Sequence, residues 1–208
     1  MKILLTAFEP YDRWDTNSSW ESLTEMLKQY GLPEGVTTRR YPVDLETLKQ
    51  RLDKDLSNGF DAVLHLGQSP GSSSIHLEAL AVNVAGVSYN GGRLHGPLID
   101  GGPTAYASNL PIDAMRQGLL QEGIPVSISY HAGTYLCNAL FYLSQHWHTV
   151  RNRECQVGFV HFPLLPEQVI SADKETASVS RLELARGIAI MLEVIRGKPV
   201  SKPDAVIA

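Results

Sequence analysis

Apolar and polar positions along the chain predict strands and helices that alternate. Short continuous apolar runs are typical of buried strands, and stripes repeating every three to four residues are typical of amphipathic helices. The predicted strands are Lys2 to Ala7, Val36 to Val43, Asp61 to Gln68, Ile124 to Tyr130 and Val157 to Phe162. The predicted helices run from an N-cap at Asn17 to Ser19 as far as Gln29, and over Leu45 to Leu56, Pro111 to Glu122, Cys137 to His148 and Ser180 to Ile195.

Two stretches are less clear. The pattern of Ile75 to Val84 does not decide between strand and helix, and residues 86–109, rich in Gly, Asn and Pro, predict a long excursion with a functional or interface role.

The alternation of strands and helices elsewhere predicts an α/β layered fold with a largely parallel sheet. We expect a single domain over residues 1–208, with the tail after Gly197 loosely held.

Composition excludes several classes of partner. Apolar residues make up 43% of the 208 positions and charged residues 19%, as in globular proteins, and the net charge of −4 offers no basic surface for nucleic acid or an acidic membrane. The chain has no signal-peptide pattern and no run of about 18 apolar residues. With only two cysteines, Cys137 and Cys155, we expect a cytoplasmic protein with reduced thiols.

Cys137 is the first candidate for chemistry. It lies at the first turn of a predicted helix, where the helix dipole would stabilise a thiolate and free backbone N–H groups could bind an oxyanion. The alternative is a small buried residue that packs the helix against the sheet. Cys155, in the charged stretch Arg151 to Gln156, lacks this setting.

His161 and Glu78 are the candidate partners of that cysteine. His161 ends an apolar strand, at the edge where open α/β sheets place their ligand crevices, and an imidazole there could pair with a thiolate. Glu78 lies in the apolar stretch Leu77 to Val82, where a buried carboxylate needs a partner such as a catalytic imidazole. A structural histidine and an exposed carboxylate are the alternatives.

Two other kinds of site have weak support. The pairs His146-x-His148 and His76-x-Glu78 lack a third ligand cluster, so we expect no metal and no cofactor. Gly91-Gly92-Arg93 is the nearest approach to the phosphate loop that a nucleoside phosphorylase would need, but no helix pattern follows it.

Four blocks of the sequence resemble the pyroglutamyl peptidase I family, also called pyrrolidone carboxyl peptidases, and the resemblance is collinear over nearly the whole chain. The most specific blocks surround Cys137 and His161. The four blocks are Leu5 to Tyr11 continuing to Asn17-Ser-Ser-Trp20, Leu77 to Asn83, Ala132 to Asn138 continuing to Phe141-Tyr142, and Gly158 to Gln168.

The resemblance implies a cysteine peptidase that removes N-terminal pyroglutamyl residues from peptides. It implies a three-layer α/β/α sandwich with a twisted, mostly parallel mixed sheet, in which residues 75–84 form strand, and a homo-oligomer, either a dimer or a tetramer. It assigns the nucleophile to Cys137, the general base to His161 and the orienting carboxylate to Glu78. It assigns binding of the pyroglutamyl ring to Phe8, Tyr11, Asn17 and Gln68.

The chain also departs from the family pattern. Asp12-Arg13-Trp14 stands where the family has Gly-Gly-Glu, Ser69-Pro-Gly-Ser-Ser replaces a Gly-rich turn, Tyr11 replaces a pocket Phe, and Ser88 replaces an arginine that family members often carry after the glutamate. These changes leave open an alternative, a divergent homologue that binds a lactam-bearing ligand without hydrolysing it or that has altered specificity.

Overall fold

A six-stranded mixed sheet forms the centre of the molecule. The structure, a computed structural model, describes residues 1–89, 92–170 and 175–197, with the backbone alone at 87–89 and 92–95. The strands are β1 Ile3–Phe8, β2 Val36–Tyr41, β3 Ala62–Gln68, β4 Ile75–Glu78, β5 Leu80–Val82, β6 Ala85–Tyr89, β7 Gly92–Gly96, β8 Ala105–Ala107, β9 Val126–Ser129 and β10 Gln156–Phe162. The central sheet has the order β2-β1-β3-β10-β4-β9.

Helices cover both faces of this sheet. They are α1 Ser18–Tyr30, α2 Leu45–Leu56, α3 Ile112–Gln121, α4 Leu136–Val150, α5 Pro166–Val169 and α6 Arg181–Ile195. One apolar core lies between the sheet and α1, α3 and α6, and a second lies between the sheet and α2 and α4. The predicted three-layer α/β/α sandwich with a mostly parallel mixed sheet is therefore confirmed.

The direction of the strands changes once across the sheet. β2, β1, β3 and β10 are parallel to one another, β4 pairs antiparallel with β10, and β9 is parallel to β4. Residues that face each other across an antiparallel pair lie on the same face of the sheet. The register Phe159↔Glu78 and His161↔His76 therefore places these four side chains together, on the face that α4 covers.

Several predicted boundaries differ from the observed ones. Pro111 caps α3 instead of opening it, and α4 begins at Leu136, one residue before the predicted start. Most of residues 75–84 form strand, as the family resemblance implies, but in two pieces: β4 belongs to the central sheet, and β5 pairs with β8.

The excursion over residues 86–109 contains more structure than the composition predicts. β6 and β7 form an antiparallel hairpin within it, and β8 pairs with β5. Gly92 and Arg93 lie in β7, so no helix follows them, while Gly91 lies outside the described residues. The predicted loose tail after Gly197 also lies outside them.

Candidate active site

A cleft of about 300 Å³ opens above the carboxyl ends of β1, β3 and β10. Open α/β sheets place ligand crevices at this edge because the loops leaving the strands diverge there. All seven residues singled out from the sequence line the cleft: Phe8, Tyr11, Asn17, Gln68, Glu78, Cys137 and His161.

Cys137 is the second residue of α4. The N-cap residue Tyr135 makes no side-chain cap, and the first backbone hydrogen bond of the helix runs from Ala139 N to Tyr135 O at 3.0 Å. The N–H groups of residues 136–138 precede that bond and have no partner within the helix. They lie beside the thiol, where they can bind an anion.

Asn138 anchors the helix start that carries Cys137. Its Oδ1 accepts a hydrogen bond from Val82 N at 2.8 Å, and its Nδ2 donates to Val82 O at 2.9 Å and to Val84 O at 3.0 Å. Asn138 is fully buried. These bonds fix the first turn of α4 against β5 and so fix the position of the thiol.

His161 links the cysteine to Glu78. Its Nδ1 donates to Glu78 Oε1 at 2.7 Å, and the Cys137 side chain lies close enough to act on the same ring and raise its pKa. Glu78 is only 1% exposed, and its Oε2 has no hydrogen-bond partner in the described part of the chain. A buried carboxylate with one free oxygen depends on its cationic neighbour, which favours the protonated form of His161.

The pKa of His161 reflects two opposing influences. Burial lowers it, but the thiolate charge of Cys137 and the hydrogen bonds to Cys137 and Glu78 outweigh burial and raise the pKa from 6.5 to about 10. The imidazole of His161 is therefore favoured as a cation at neutral pH, between the sulfur of Cys137 and the carboxyl group of Glu78.

Gly67 leaves the space that the thiol occupies. It lies opposite His161 in the β3–β10 pair, and a β carbon at this position would be 2.7 Å from Phe159 Cζ and 3.1 Å from Cys137 Sγ. The contact with Phe159 is shorter than real β carbons essentially ever show, and the contact with the sulfur is tight enough that the sulfur would have to shift slightly. A side chain at position 67 would therefore displace the Phe159 ring or the thiol.

One side of the cleft is apolar. Phe8 and Val43 form part of its wall together with Tyr11, whose hydroxyl donates to Gln68 O at 3.4 Å. Burial, aided by the Cys137 charge, raises the pKa of Tyr11 to about 12, so its hydroxyl stays protonated and can donate. The hydroxyl that distinguishes Tyr11 from the family's Phe thus has a partner.

Gln68 is oriented by a series of hydrogen bonds that the sequence did not reveal. Leu165 N donates to Gln168 Oε1 at 2.8 Å, so Gln168 Nε2 is the donor to Thr16 O at 3.0 Å and to Gln68 Oε1 at 2.9 Å. Ser18 N also donates to Gln68 Oε1, at 2.7 Å. Because backbone groups fix both ends of the series, Gln68 Nε2 must be the amide nitrogen. It is buried, and none of the residues that the structure describes accepts a hydrogen bond from it.

Asn17 stabilises the same wall of the cleft through hydrogen bonds. Its Oδ1 accepts from Ser19 N at 3.1 Å and from Ser19 Oγ at 2.7 Å, which caps α1, and its Nδ2 donates to Glu9 O at 3.0 Å. One Nδ2 hydrogen remains for a ligand in the cleft.

The loop that replaces the family's glycines keeps a tight turn. Asp12 adopts φ 55°, a left-handed conformation that glycine adopts freely and that Asp tolerates better than most residues, and Trp14 N donates to Tyr11 O at 3.1 Å. The side chain of Ser88, the position of the missing arginine, lies outside the described residues.

Two histidines of the cleft, His76 and His131, were not predicted as site residues. His76 appeared in the sequence only as half of a weak metal pair, and His131 opens the block before Cys137. Among residues 1–89, 92–170 and 175–197, no three His, Cys, Asp or Glu side chains are grouped to hold a metal ion. His146 and His148 instead bond to Tyr106 Oη and Ser144 O.

Comparisons with known proteins identify related chains. A model of the pyroglutamyl peptidase family matches residues 1–198. A pyrrolidone-carboxylate peptidase of Bacillus cytotoxicus is 33% identical over 197 residues, which cover 92% of this chain and 91% of the relative. One from Staphylococcus aureus is 32% identical over 201 residues, covering 94% and 93%.

A solved structure has the same fold. The crystal structure of pyrrolidone carboxyl peptidase from the hyperthermophile Pyrococcus furiosus superposes with a TM-score of 0.85 at 33% identity. The match covers 95% of this chain and 99% of that one.

Substituting Gly67→Ala should slow alkylation of Cys137 by iodoacetamide roughly tenfold, because the added carbon displaces the thiol or the Phe159 ring. We expect the free energy of unfolding to fall by about 1–3 kcal/mol. The control is Gly96→Ala, where a β carbon would meet nothing within 4 Å. An unchanged alkylation rate in folded Gly67→Ala protein would show that the thiol is not confined by this contact.

Proposed function

This chain belongs to the pyroglutamyl peptidase family, and we propose from that premise that it hydrolyses the amide bond after an N-terminal pyroglutamyl residue, with Cys137 as the nucleophile. The observation that carries the proposal is the grouping of Cys137, His161 and Glu78 in the cleft, with His161 hydrogen-bonded to Glu78 and influenced by the Cys137 side chain. A thiol, an imidazole and a carboxylate in this order are the parts that covalent acyl transfer requires.

In the first step the thiolate of Cys137 attacks the carbonyl carbon of the pyroglutamyl residue. A carbon–sulfur bond forms, and the carbonyl electrons move to the oxygen. The N–H groups at the start of α4 are placed to bind that oxyanion. Preorganised donors of this kind are typically worth about 3–4 kcal/mol of barrier each.

In the second step the carbon–nitrogen bond breaks. His161 gives its proton from the ring nitrogen that faces Cys137 to the departing amine, and the thioacyl-enzyme remains. Glu78 keeps the imidazole in this orientation through the 2.7 Å bond to Nδ1. Cys137 and Glu78 raise the pKa of His161 and so keep its proton bound at neutral pH, ready for transfer to the amine.

In the third step water releases the acyl group. His161, now neutral, takes a proton from a water molecule, whose oxygen attacks the thioester carbon. The carbon–sulfur bond breaks, pyroglutamate leaves, and the thiolate and imidazolium are restored. No metal or redox cofactor is needed for any of these proton and electron movements.

The apolar side of the cleft suits a neutral lactam ring. Phe8, Tyr11 and Val43 supply apolar walls, and the ring carbonyl would supply the acceptor that Gln68 Nε2 lacks. The free Nδ2 hydrogen of Asn17 is a second donor in this wall. A buried donor without a partner costs about 1–3 kcal/mol, so a substrate with a matching acceptor is favoured over one without it.

The same wall disfavours an ordinary charged N-terminus. Glu78 is the one carboxylate among the described residues that line the cleft, and it is already bound to His161. An ammonium group would therefore enter an apolar site without a counter-charge. General aminopeptidase activity should be low.

The alternative of a homologue that binds without hydrolysis is not favoured. Its sequence basis was the altered first loop and Ser88, and Asp12 retains a glycine-like turn in that loop. The groups that the chemistry needs line one cleft, with His161 hydrogen-bonded to Glu78.

Location, assembly and domain extent stay predictions. Both cysteines are free, which supports a reducing, cytoplasmic setting. Within the described residues, no helix is long and apolar enough to span a bilayer. A homo-oligomer is supported by the family resemblance alone, and a single domain over residues 1–208 by the chain length and the lack of a linker-like segment in the sequence.

The direct test is hydrolysis of a pyroglutamyl-coumarin amide by the wild type and by Cys137→Ser, with an alanyl-coumarin amide for comparison. We expect the wild type to cleave only the pyroglutamyl substrate. The serine variant should lose at least about 10³-fold in kcat/KM, because a hydroxyl is a far weaker nucleophile here. Cys155→Ser is the matched control and should keep full activity. No turnover by folded wild type would contradict the proposal.

The pH profile tests the proton on His161. Because its pKa is raised from 6.5 to about 10, the imidazolium persists through neutral pH and is lost as the pH rises towards about 10. The alkaline limb of kcat/KM should therefore lie near that value, and Glu78→Gln should move it to lower pH, because one of the groups that raise the pKa is removed. A limb that stays in place in Glu78→Gln would contradict this assignment.

A further inference from the structure

The Cys137–His161 pair divides the cleft into two sides. Phe8, Tyr11 and Gln68 come from β1, β3 and the loop after β1, on one side of β10. His76 on β4 and His131 after β9 lie on the other side. If the apolar side holds the ring, as proposed above, the leaving peptide must extend over β4 and β9.

His76 is directly next to His161 across the β10–β4 pair, on the same face of the sheet. Residues opposite each other in an antiparallel pair have Cα atoms about 4.5–5.5 Å apart. An extended peptide advances about 3.3–3.6 Å per residue. The peptide group one residue beyond the scissile bond therefore comes within reach of His76 when the departing nitrogen is at His161.

The tautomer of His76 is fixed by Ser72. Ser72 Oγ lies 2.6 Å from Ser74 O, a distance that requires the hydroxyl proton between the two oxygens. The 2.9 Å contact between Ser72 Oγ and His76 Nε2 must then be donated by the histidine. In the neutral ring Nδ1 is left as an acceptor, and no described residue donates to it.

The neutral state of His76 has a clear origin. Burial lowers its pKa, and the positive charge of His161 lowers it further, against the opposing influence of Glu78. The acceptor on Nδ1 is therefore present at neutral pH.

His131 offers a hydrogen-bond donor where His76 offers an acceptor. Gly133 N donates to His131 Nδ1 at 3.0 Å, so the neutral ring carries its hydrogen on Nε2. The polar side of the cleft thus presents an acceptor on His76 and a donor on His131. A peptide group offers the matching N–H and C=O.

We propose that His76 is a specificity-determining residue that accepts a hydrogen bond from the first peptide N–H beyond the scissile bond, so that the protein distinguishes true peptides from simple pyroglutamyl amides. His131 binds the carbonyl of the same peptide group. This inference rests on the proposed function, because the proposed activity defines which side receives the leaving peptide.

Two substrates that differ by one N–H test the proposal. Pyroglutamyl-alanine N-methylamide has the peptide N–H, and pyroglutamyl-alanine N,N-dimethylamide lacks it. For the wild type we expect kcat/KM to be roughly 3- to 10-fold higher for the N-methylamide, the range for one hydrogen bond. In His76→Phe the ratio should fall to about 1. Hydrolysis of the pyroglutamyl-coumarin amide, which lacks this peptide group, is measured in parallel, so that any general loss of activity in the variant is divided out of the comparison.

Further variants separate recognition from structure. His76→Gln keeps an acceptor and should keep part of the preference even if His76→Phe fails to fold. His146→Phe removes a histidine outside the cleft and should leave the ratio unchanged. A wild-type ratio near 1, or a ratio that persists in folded His76→Phe, would overturn this inference alone. Failure of the wild type to cleave the coumarin amide would instead overturn the proposed function, and this inference with it.

Discussion

The contact between His161 and Glu78 determines how the rest of the site is arranged. It exists because β4 runs antiparallel to β10, which sets Glu78 two positions along from the residue opposite His161 and on the same face of the sheet. The buried carboxylate needs a cation, the imidazole supplies it, and the remaining ring nitrogen is thereby directed at Cys137. The uncapped start of α4, fixed by Asn138, brings the thiol to that nitrogen.

The reversal of strand direction also gives the cleft two different sides. Parallel strands β1 and β3 and the loop after β1 carry the aromatic and amide groups proposed to bind the ring. β4 and the segment after β9 carry the two histidines proposed to bind the leaving peptide. Cys137, the proposed nucleophile, lies between the two sides. Among the described residues, no hydrogen bond joins Gln68 to His76. Recognition of the ring and recognition of the leaving group can therefore change independently.

Much of the fold followed from the sequence, because local patterns specify local structure. Buried strands and amphipathic helices are recognisable from hydrophobic periodicity, and Cys137 at a helix start and His161 at a strand end needed no tertiary information. The apolar setting of Glu78 left its role open between a partner of the imidazole and an exposed carboxylate, and the family resemblance favoured the first, because its pairing depends on a register across 83 residues. Gln168 hydrogen-bonds Gln68 from a position 100 residues away along the chain, and the acceptor on His76 depends on where the hydroxyl proton of Ser72 lies. Neither feature has a signal in composition or periodicity.

The most direct measurement is the mass of the covalent intermediate. The protein would be mixed with pyroglutamyl p-nitrophenyl ester, quenched in acid within milliseconds and digested for mass spectrometry. We expect a mass gain of one pyroglutamyl group on the fragment that contains Cys137, and none on the fragment that contains Cys155. Turnover of the ester without any adduct on Cys137, or an adduct on another residue, would contradict nucleophilic catalysis at this helix start.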